Sequence, residues 1–296
     1  MQTAAFTPET TRAILHKAGK QLDLDTSGAT LIRMGENAMY RLESPLIMVR
    51  IGRSPAAAEK ERNVAAWLAG HDFPAVHLAE FQQPVLVDDY AVTFWEFIEE
   101  SLDSVTEHEL GGTLRALHDL PTPSAFSLPP FEPMPKIAPR LSAIGDRLSV
   151  EDRVFISERK AELEEEFSGL SFSLGVGIVH GDYHAGNLMR DQAGIVRLID
   201  FEDFVFGPRE WDACVEAVRY WALGWVSPED YRSYVDAYGF DPLDWDGFPV
   251  MRAIRELNMT TWLAQLLGQS DEVDKEVHKR IADLRNGQRL RNWSTF

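Results

Sequence analysis

The stretch IVHGDYHAGNLMRDQAGIVRLIDFED, residues 178–203, limits what this chain can fold into more than any other segment. An apolar run leads into His180-Gly181-Asp182, and a short polar loop then reaches Asn187. Alternating apolar residues, Ile195, Val196, Leu198 and Ile199, mark a strand that delivers Asp200 at its end. Strand, loop and strand thus present Asp182, Asn187 and Asp200 in a fixed order. A hard cation such as Mg²⁺ wants oxygen ligands, which the Asp200 carboxylate and the Asn187 amide supply. Asp182 is then left to accept a proton as a general base. A rival reading makes His180, Asp182 and His184 a transition-metal site, since H-x-D-x-H offers alternating ligands on an extended segment. That reading leaves Asn187 and Asp200 without a role.

Bulk properties exclude several partners. The 296 residues carry a formal net charge of −18, and no Lys/Arg-rich tract offsets it. A polyanion such as nucleic acid is therefore repelled. No apolar run approaches the ~18 residues of a membrane span, so no membrane partner is expected. MQTAAFTPET has neither an apolar run nor a basic cluster, so no signal peptide is expected. Cys214 is the only cysteine, which rules out an intrachain disulfide and makes a reducing cytoplasm the natural setting. The expected assembly is a monomer or weak homodimer. From Asp200 to Asp246, twelve Asp/Glu face three Arg, a local field that favours a cationic ligand.

The rest of the chain divides by texture. Thr7-Pro8-Glu9 opens a helix to about Leu22. Strand-like runs follow at Thr30–Met34, Met39–Glu43 and Leu46–Ile51, then a helix over Ala56–Ala69, then strands at Pro84–Val87 and Tyr90–Ile98. Thr106 and Glu109 have the spacing of a capping box. Six prolines within residues 121–135 exclude helix there. Helix is expected from Pro135 to Phe167, strands at Ile178–His180 and Ile195–Phe201, and mostly helix from Pro208. The fold class is α+β: a small β-rich lobe over residues 1–98 and a larger, mainly helical lobe over 99–296.

Asp182 and Asn187 have the spacing of H-R-D-x-x-x-x-N in kinases, and Asp200-Phe201 takes the place of Asp-Phe-Gly. HGDYHAGN at 180–187, IDFED at 199–203 and GPREWDA at 207–213 resemble the aminoglycoside phosphotransferase and choline kinase family. The resemblance spans roughly residues 20–265 and implies a two-lobed, protein-kinase-like fold. It implies Asp182 as catalytic base, Asn187 and Asp200 as Mg²⁺ ligands, and ATP or GTP as co-substrate. It further implies a nucleotide loop at Gly35-Glu36-Asn37, a phosphate-pairing Arg50 braced by Glu61, and a hinge at Glu96 to Ile98 whose backbone meets the adenine. Asp212 and His180 would buttress the catalytic loop, and His118 would pack. Arg50 stands where a kinase carries Lys, and Glu202 where it carries Gly. No Ala-Pro-Glu motif follows, which argues against a protein substrate.

The resemblance thus implies a kinase of a small polar molecule. The acidic window favours an amine-bearing acceptor, such as an aminoglycoside-type antibiotic or amino sugar, with antibiotic resistance as the leading setting. Choline, homoserine or a sugar is the alternative acceptor. A metal-dependent hydrolase and a catalytically silent nucleotide-binding module are the alternatives of another class. Acceptor contacts are expected from Asp203, Glu210, Glu256 and Trp262. Helical spacing turns Ile254, Leu257, Thr261 and Leu266 inward, which makes Glu256 either an acceptor group or an exposed partner of Arg252 or Arg255.

Overall fold

In the computed structural model, residues 6–287 and 290–296 are described; the opening residues of MQTAAFTPET, up to Ala5, lie outside them. The Thr7 side chain accepts the Thr10 N–H and caps α1 (Pro8–Gln21), with Pro8 at the first helical position. Then come β1 (Thr30–Met34), β2 (Ala38–Glu43), β3 (Leu46–Gly52), α2 (Pro55–Ala69), β4 (Val85–Val87) and β5 (Tyr90–Glu96). A full capping box between Thr106 and Glu109 starts α3 (Glu107–His118). The expected Pro135–Phe167 helix is two helices, α4 (Ile137–Ile144) and α5 (Val150–Ser168). Gly145, at φ 57°, ends the first, and the Ser149 side chain caps the second.

Short strands β6 (Val176–Val179), β7 (Leu188–Arg190), β8 (Val196–Leu198) and β9 (Val205–Pro208) follow. The chain then continues through α6 (Glu210–Val218), α7 (Pro228–Tyr238), α8 (Phe248–Ala264) and α9 (Asp271–Asn286). The strand expected to reach Phe201 stops at Leu198, and Asp200 beyond it takes a φ of 61° that no strand accommodates. Among the described residues, no helix is long and apolar enough to cross a membrane.

The chain packs as two compact units that do not follow a single cut at residue 98. The first takes the described residues up to Val105, Leu120–Leu128 and Ala185–Phe204; the second takes Thr106–Asp119, Pro129–His184 and the described residues from Val205 on. The reason for the late segment is in the hydrogen bonds. Leu198 of β8 exchanges backbone bonds with Pro74 and Val76, at 3.0 and 2.9 Å.

The first unit is built on an antiparallel sheet of order β1-β2-β3-β5-β4. Strand periodicity turns Tyr40, Leu42, Val49 and Ile51 toward Ile14, Leu15 and Ala18 of α1. Arg50, between Val49 and Ile51, faces the other way and meets α2. In the second unit, α3 and α7 pack closely. Gly111 makes this possible, since a Cβ there would lie 2.4 Å from the Tyr234 carbonyl oxygen. β6 pairs with β9, Val179 opposite Val205. Phe131 N–H and the Pro129 carbonyl bond the Phe206 backbone, so the end of the proline-rich stretch is tied to β9.

Gly111→Ala should destabilise the protein by about 1–3 kcal/mol, the usual cost of overpacking. Urea unfolding measures this, and wild-type stability would contradict the close approach.

Candidate active site

The loop that carries Asp182 in the second unit hangs from one buried carboxylate. Asp212, at the start of α6, is fully buried and accepts the N–H of His180 at 2.6 Å and of Gly181 at 3.0 Å. His118 Nε2 lies 3.3 Å from the same carboxylate, and His118 Nδ1 2.8 Å from the Tyr238 hydroxyl. His118 therefore does more than pack. From the other side, the Trp211 indole donates to the Gly181 carbonyl at 2.6 Å, and the Tyr183 hydroxyl donates to the Leu110 carbonyl at 2.7 Å. Gly181 takes φ 91°, where only glycine is comfortable. The expectation that Asp212 and His180 brace this loop holds.

Asp182 projects from the braced loop with its side chain 58% exposed, its Oδ2 3.5 Å from His184 Nε2. Surrounding protein pushes its pKa up, but the hydrogen bond and charge of His184, with His180 and Arg255 beyond, prevail and bring it to about 2. His180 is buried, and its Nδ1 accepts the Asp182 N–H at 3.3 Å. Among the described residues, no group of three His, Cys, Asp or Glu side chains is gathered to hold a metal.

In the first unit, β7 and β8 form a hairpin with Leu188 opposite Leu198. Its ends carry Asn187, buried, and Asp200, joined through the Ile199 N–H to the Asn187 carbonyl at 3.0 Å. Asp200 tolerates its left-handed backbone because aspartate is among the residues that visit it most readily. Around them is a charge cluster. Arg50 Nη1 donates to Glu61 at 2.6 Å and to Asp200 at 3.3 Å, while Nη2 donates to Glu202. Burial works against the Arg50 charge, but the three carboxylates more than offset it. Glu61 is pushed up to about 7 by its burial, with Arg50 opposing. Asn37 donates to Glu202 at 3.0 Å, and Lys60 donates to the Glu202 and Phe204 carbonyls. Arg50, Asn37, Glu61 and Glu202 line a cleft of about 300 Å³.

The other expected nucleotide residues are in this unit as well. Gly35 lies in the β1–β2 turn, its N–H donating to the Asn37 carbonyl at 3.0 Å, and the space where a Cβ would sit is open. Glu96 ends β5 and gives its N–H to the His77 carbonyl at 2.9 Å. With Ile98 it lines a second cleft of about 260 Å³.

Two expected acceptor contacts are corrected. Glu256 is buried, and both its oxygens are held by Arg291, at 3.2 and 2.9 Å. The chain after α9 covers that face of α8, which periodicity within α8 alone could not reveal. Glu210 is fully buried too, accepting the Leu174 N–H at 2.6 Å, and burial raises its pKa. Asp203, in the first unit, is half-buried, and Trp262, on α8 of the second, is exposed.

One carboxyl pair had no sequence signal, because its members are distant in the chain. Burial, and then Glu216, push Glu107 up to about 7, while Glu216 is itself raised by burial and bonded to Arg219 at 2.6 Å. One oxygen of each is buried without a hydrogen-bond donor.

Residues 29–257 match the phosphotransferase enzyme family, APH, and the chain belongs to that family. No curated protein matches in sequence. Among solved structures, amicoumacin kinase hAmiN, in complex with AMP-PNP, Ca²⁺ and Ami, is similar with a TM-score of 0.74 at 15% identity, over 97% of this chain and 98% of that one. A spectinomycin phosphotransferase in complex with ADP and spectinomycin gives 0.62 at 16% identity, over 94% of each. Choline kinase LicA from Streptococcus pneumoniae gives 0.63 at 15%, over 95% and 100%. These likenesses are of fold: α+β, two-lobed and protein-kinase-like, with the sheet first and the helices after. By family, the chain is a small-molecule phosphotransferase with an alcohol group as acceptor.

The Glu107 carboxyl makes stability depend on pH. Because its folded pKa is raised from 4.5 to about 7, its contribution is present below pH 4.5 and lost as pH climbs through 7. Glu107→Gln should therefore gain about 1–2 kcal/mol over wild type between pH 5 and pH 8, since a tenfold change in proton affinity corresponds to ~1.4 kcal/mol and the half-buried site is partly screened. Parallel urea titrations at the two pH values, with no change in the difference, would contradict the raised Glu107 pKa.

Proposed function

We propose that the chain transfers the γ-phosphoryl group of ATP or GTP to a hydroxyl of a small, amine-bearing molecule in the cytoplasm. The observation that carries this reading is an ionised Asp182 exposed on a loop pinned by Asp212. In this reading residues 1–98 serve the nucleotide, and residues 99–296 serve catalysis and the acceptor. The Gly35-Asn37 turn and Arg50, braced by Glu61, receive phosphate, and the backbone from Glu96 to Ile98 receives the base. The acceptor oxygen forms a bond to the γ-phosphorus, the bond to the β–γ bridging oxygen breaks, and the hydroxyl proton goes to Asp182. A carboxylate titrating near 2 cannot strip a free alcohol. Its task is to orient the hydroxyl and take the proton late, as suits a loose transition state.

The first unit's donor set suits a divalent cation. The carboxylates of Glu61, Asp200 and Glu202 outnumber the cations Arg50 and Lys60 around them, and Asp200 is nearly half exposed. Asp200 and the Asn187 amide would hold Mg²⁺, which when bound neutralises phosphate charge. Asp182→Asn should cut turnover by at least ~10²-fold with nucleotide affinity nearly unchanged. Asp200→Asn, which keeps the left-handed backbone, should instead abolish the Mg²⁺-dependent stabilisation by ATP in a thermal-shift assay. An Asp182→Asn enzyme retaining more than about a tenth of the wild-type rate would sink the base assignment.

The acidic window from Asp200 to Asp246 supports an amine on the acceptor. So do the names of the fold neighbours, two of which phosphorylate amicoumacin or spectinomycin and a third choline. Asp203 and Trp262 remain the proposed contacts, through charge-assisted hydrogen bonding and cation–π attraction. Accepted substrates should carry an amine and lose affinity as salt rises. A screen of hydroxyl-bearing antibiotics and metabolites in which only neutral or anionic alcohols are phosphorylated would overturn this specificity.

A further inference from the structure

The Arg50 guanidinium has two kinds of partner. Glu61, on α2, is only 5% exposed and takes Nη1 at 2.6 Å. Glu202 takes Nη2, and its side chain is 33% exposed. One bond is buried inside the unit; the other opens to solvent. The same Glu202 oxygen also receives the Asn37 amide at 3.0 Å, so a single acceptor ties the strand arginine to the β1–β2 turn. Lys60 donates to the main-chain oxygens of Glu202 and Phe204, which fixes the backbone carrying this carboxylate. Asn37 Oδ1 occupies the space that a Cβ on Gly52 would fill, 2.9 Å from it, so glycine there lets the Asn37 side chain lie close to β3.

We propose that Glu202 is a latch on nucleotide binding: its carboxylate occupies Arg50 and Asn37 in the place of a nucleotide phosphate, which must displace it to bind. The inference rests on the reading that Arg50 faces phosphate. Carboxylate and phosphate oxygens are interchangeable partners for a guanidinium fork. Glu202 is therefore an internal competitor, present at high effective concentration because it belongs to the same unit. Its exposure lets it leave Arg50 and be rehydrated, which a group as buried as Glu61 could do only at much greater cost. The exchange leaves the Arg50–Glu61 brace intact. With Glu202 turned away, Nη2 of Arg50 and Nδ2 of Asn37 are both free to donate into the cleft they line.

Glu202→Gln tests the latch on the full chain. The amide keeps the shape of the side chain and removes the charge that competes with phosphate. Affinities for ATP, ADP and adenosine are measured by calorimetry, with EDTA and with Mg²⁺, beside an unfolding curve for each protein. Glu202→Asp, one methylene shorter, serves if the amide variant is unfolded. The latch predicts that ATP and ADP bind about 5-fold more tightly to the variant, with EDTA as well as with Mg²⁺, while adenosine is unchanged. Unchanged or weaker ATP binding in EDTA overturns it. Weakening confined to Mg²⁺ also overturns it, and makes Glu202 a metal ligand instead. A wild-type chain that binds neither ATP nor GTP overturns the functional reading and the latch together; binding of either nucleotide by wild type without tightening in the variant overturns the latch alone.

Discussion

Asp212 is the constraint on which the second unit depends. A fully buried carboxylate is unstable unless hydrogen bonds replace the water it has lost. Here the replacements include two consecutive backbone N–H groups, so the carboxylate is satisfied only if His180 and Gly181 adopt one conformation. The left-handed Gly181, the Trp211 indole on its carbonyl and the Tyr183 hydroxyl on α3 all agree with that conformation. Asp182 inherits its position from this agreement. The exposed carboxylate is thus held in place by buried neighbours.

The first unit works by the opposite arrangement. Arg50 is shared among three carboxylates from α2 and from the segment after β8. Buried ion pairs are poor sources of stability but strong determinants of geometry, since removing one partner strands the others. Glu61 illustrates the strain: its burial raises its pKa even with an arginine 2.6 Å away. Such a cluster is stiff around Glu61 and exchangeable at its exposed members.

Much of the architecture was legible because local signals agreed. Thr7 and Pro8, the Thr106–Glu109 box and the alternation through Tyr40, Leu42, Val49 and Ile51 each fix an element without distant help. Asp182, Asn187 and Asp200 could be proposed from sequence because they share one short segment. The misreadings arose where residues far apart in the chain decide. Glu256 looked like an outlier on its own helix, yet its partner Arg291 follows α9. Glu210 was expected to contact the acceptor, but it is fully buried and accepts the Leu174 N–H. By contrast, the long helix after Pro135 is interrupted at Gly145, whose φ of 57° glycine adopts readily, a local stop signal that the sequence reading passed over. Glu202 was visible as a departure from glycine, but nothing near it in sequence pointed to Arg50 and Asn37.

The compact units interleave along the chain, and this bears on how such proteins diversify. Asp182 belongs to one unit, while Asn187, Asp200 and Glu202, a few residues on, belong to the other. A recombination event that exchanged only the first hundred residues between relatives would separate Arg50 and Asn37 from the Glu202 they are bonded to. The sheet would also lose the matched edge that β8 gives to residues 74–76. Chimaeras that keep these bonds therefore exchange a second segment as well, so that Ala185 to Phe204 is inherited together with the sheet. The intervening and following helices can vary without disturbing that linked pair.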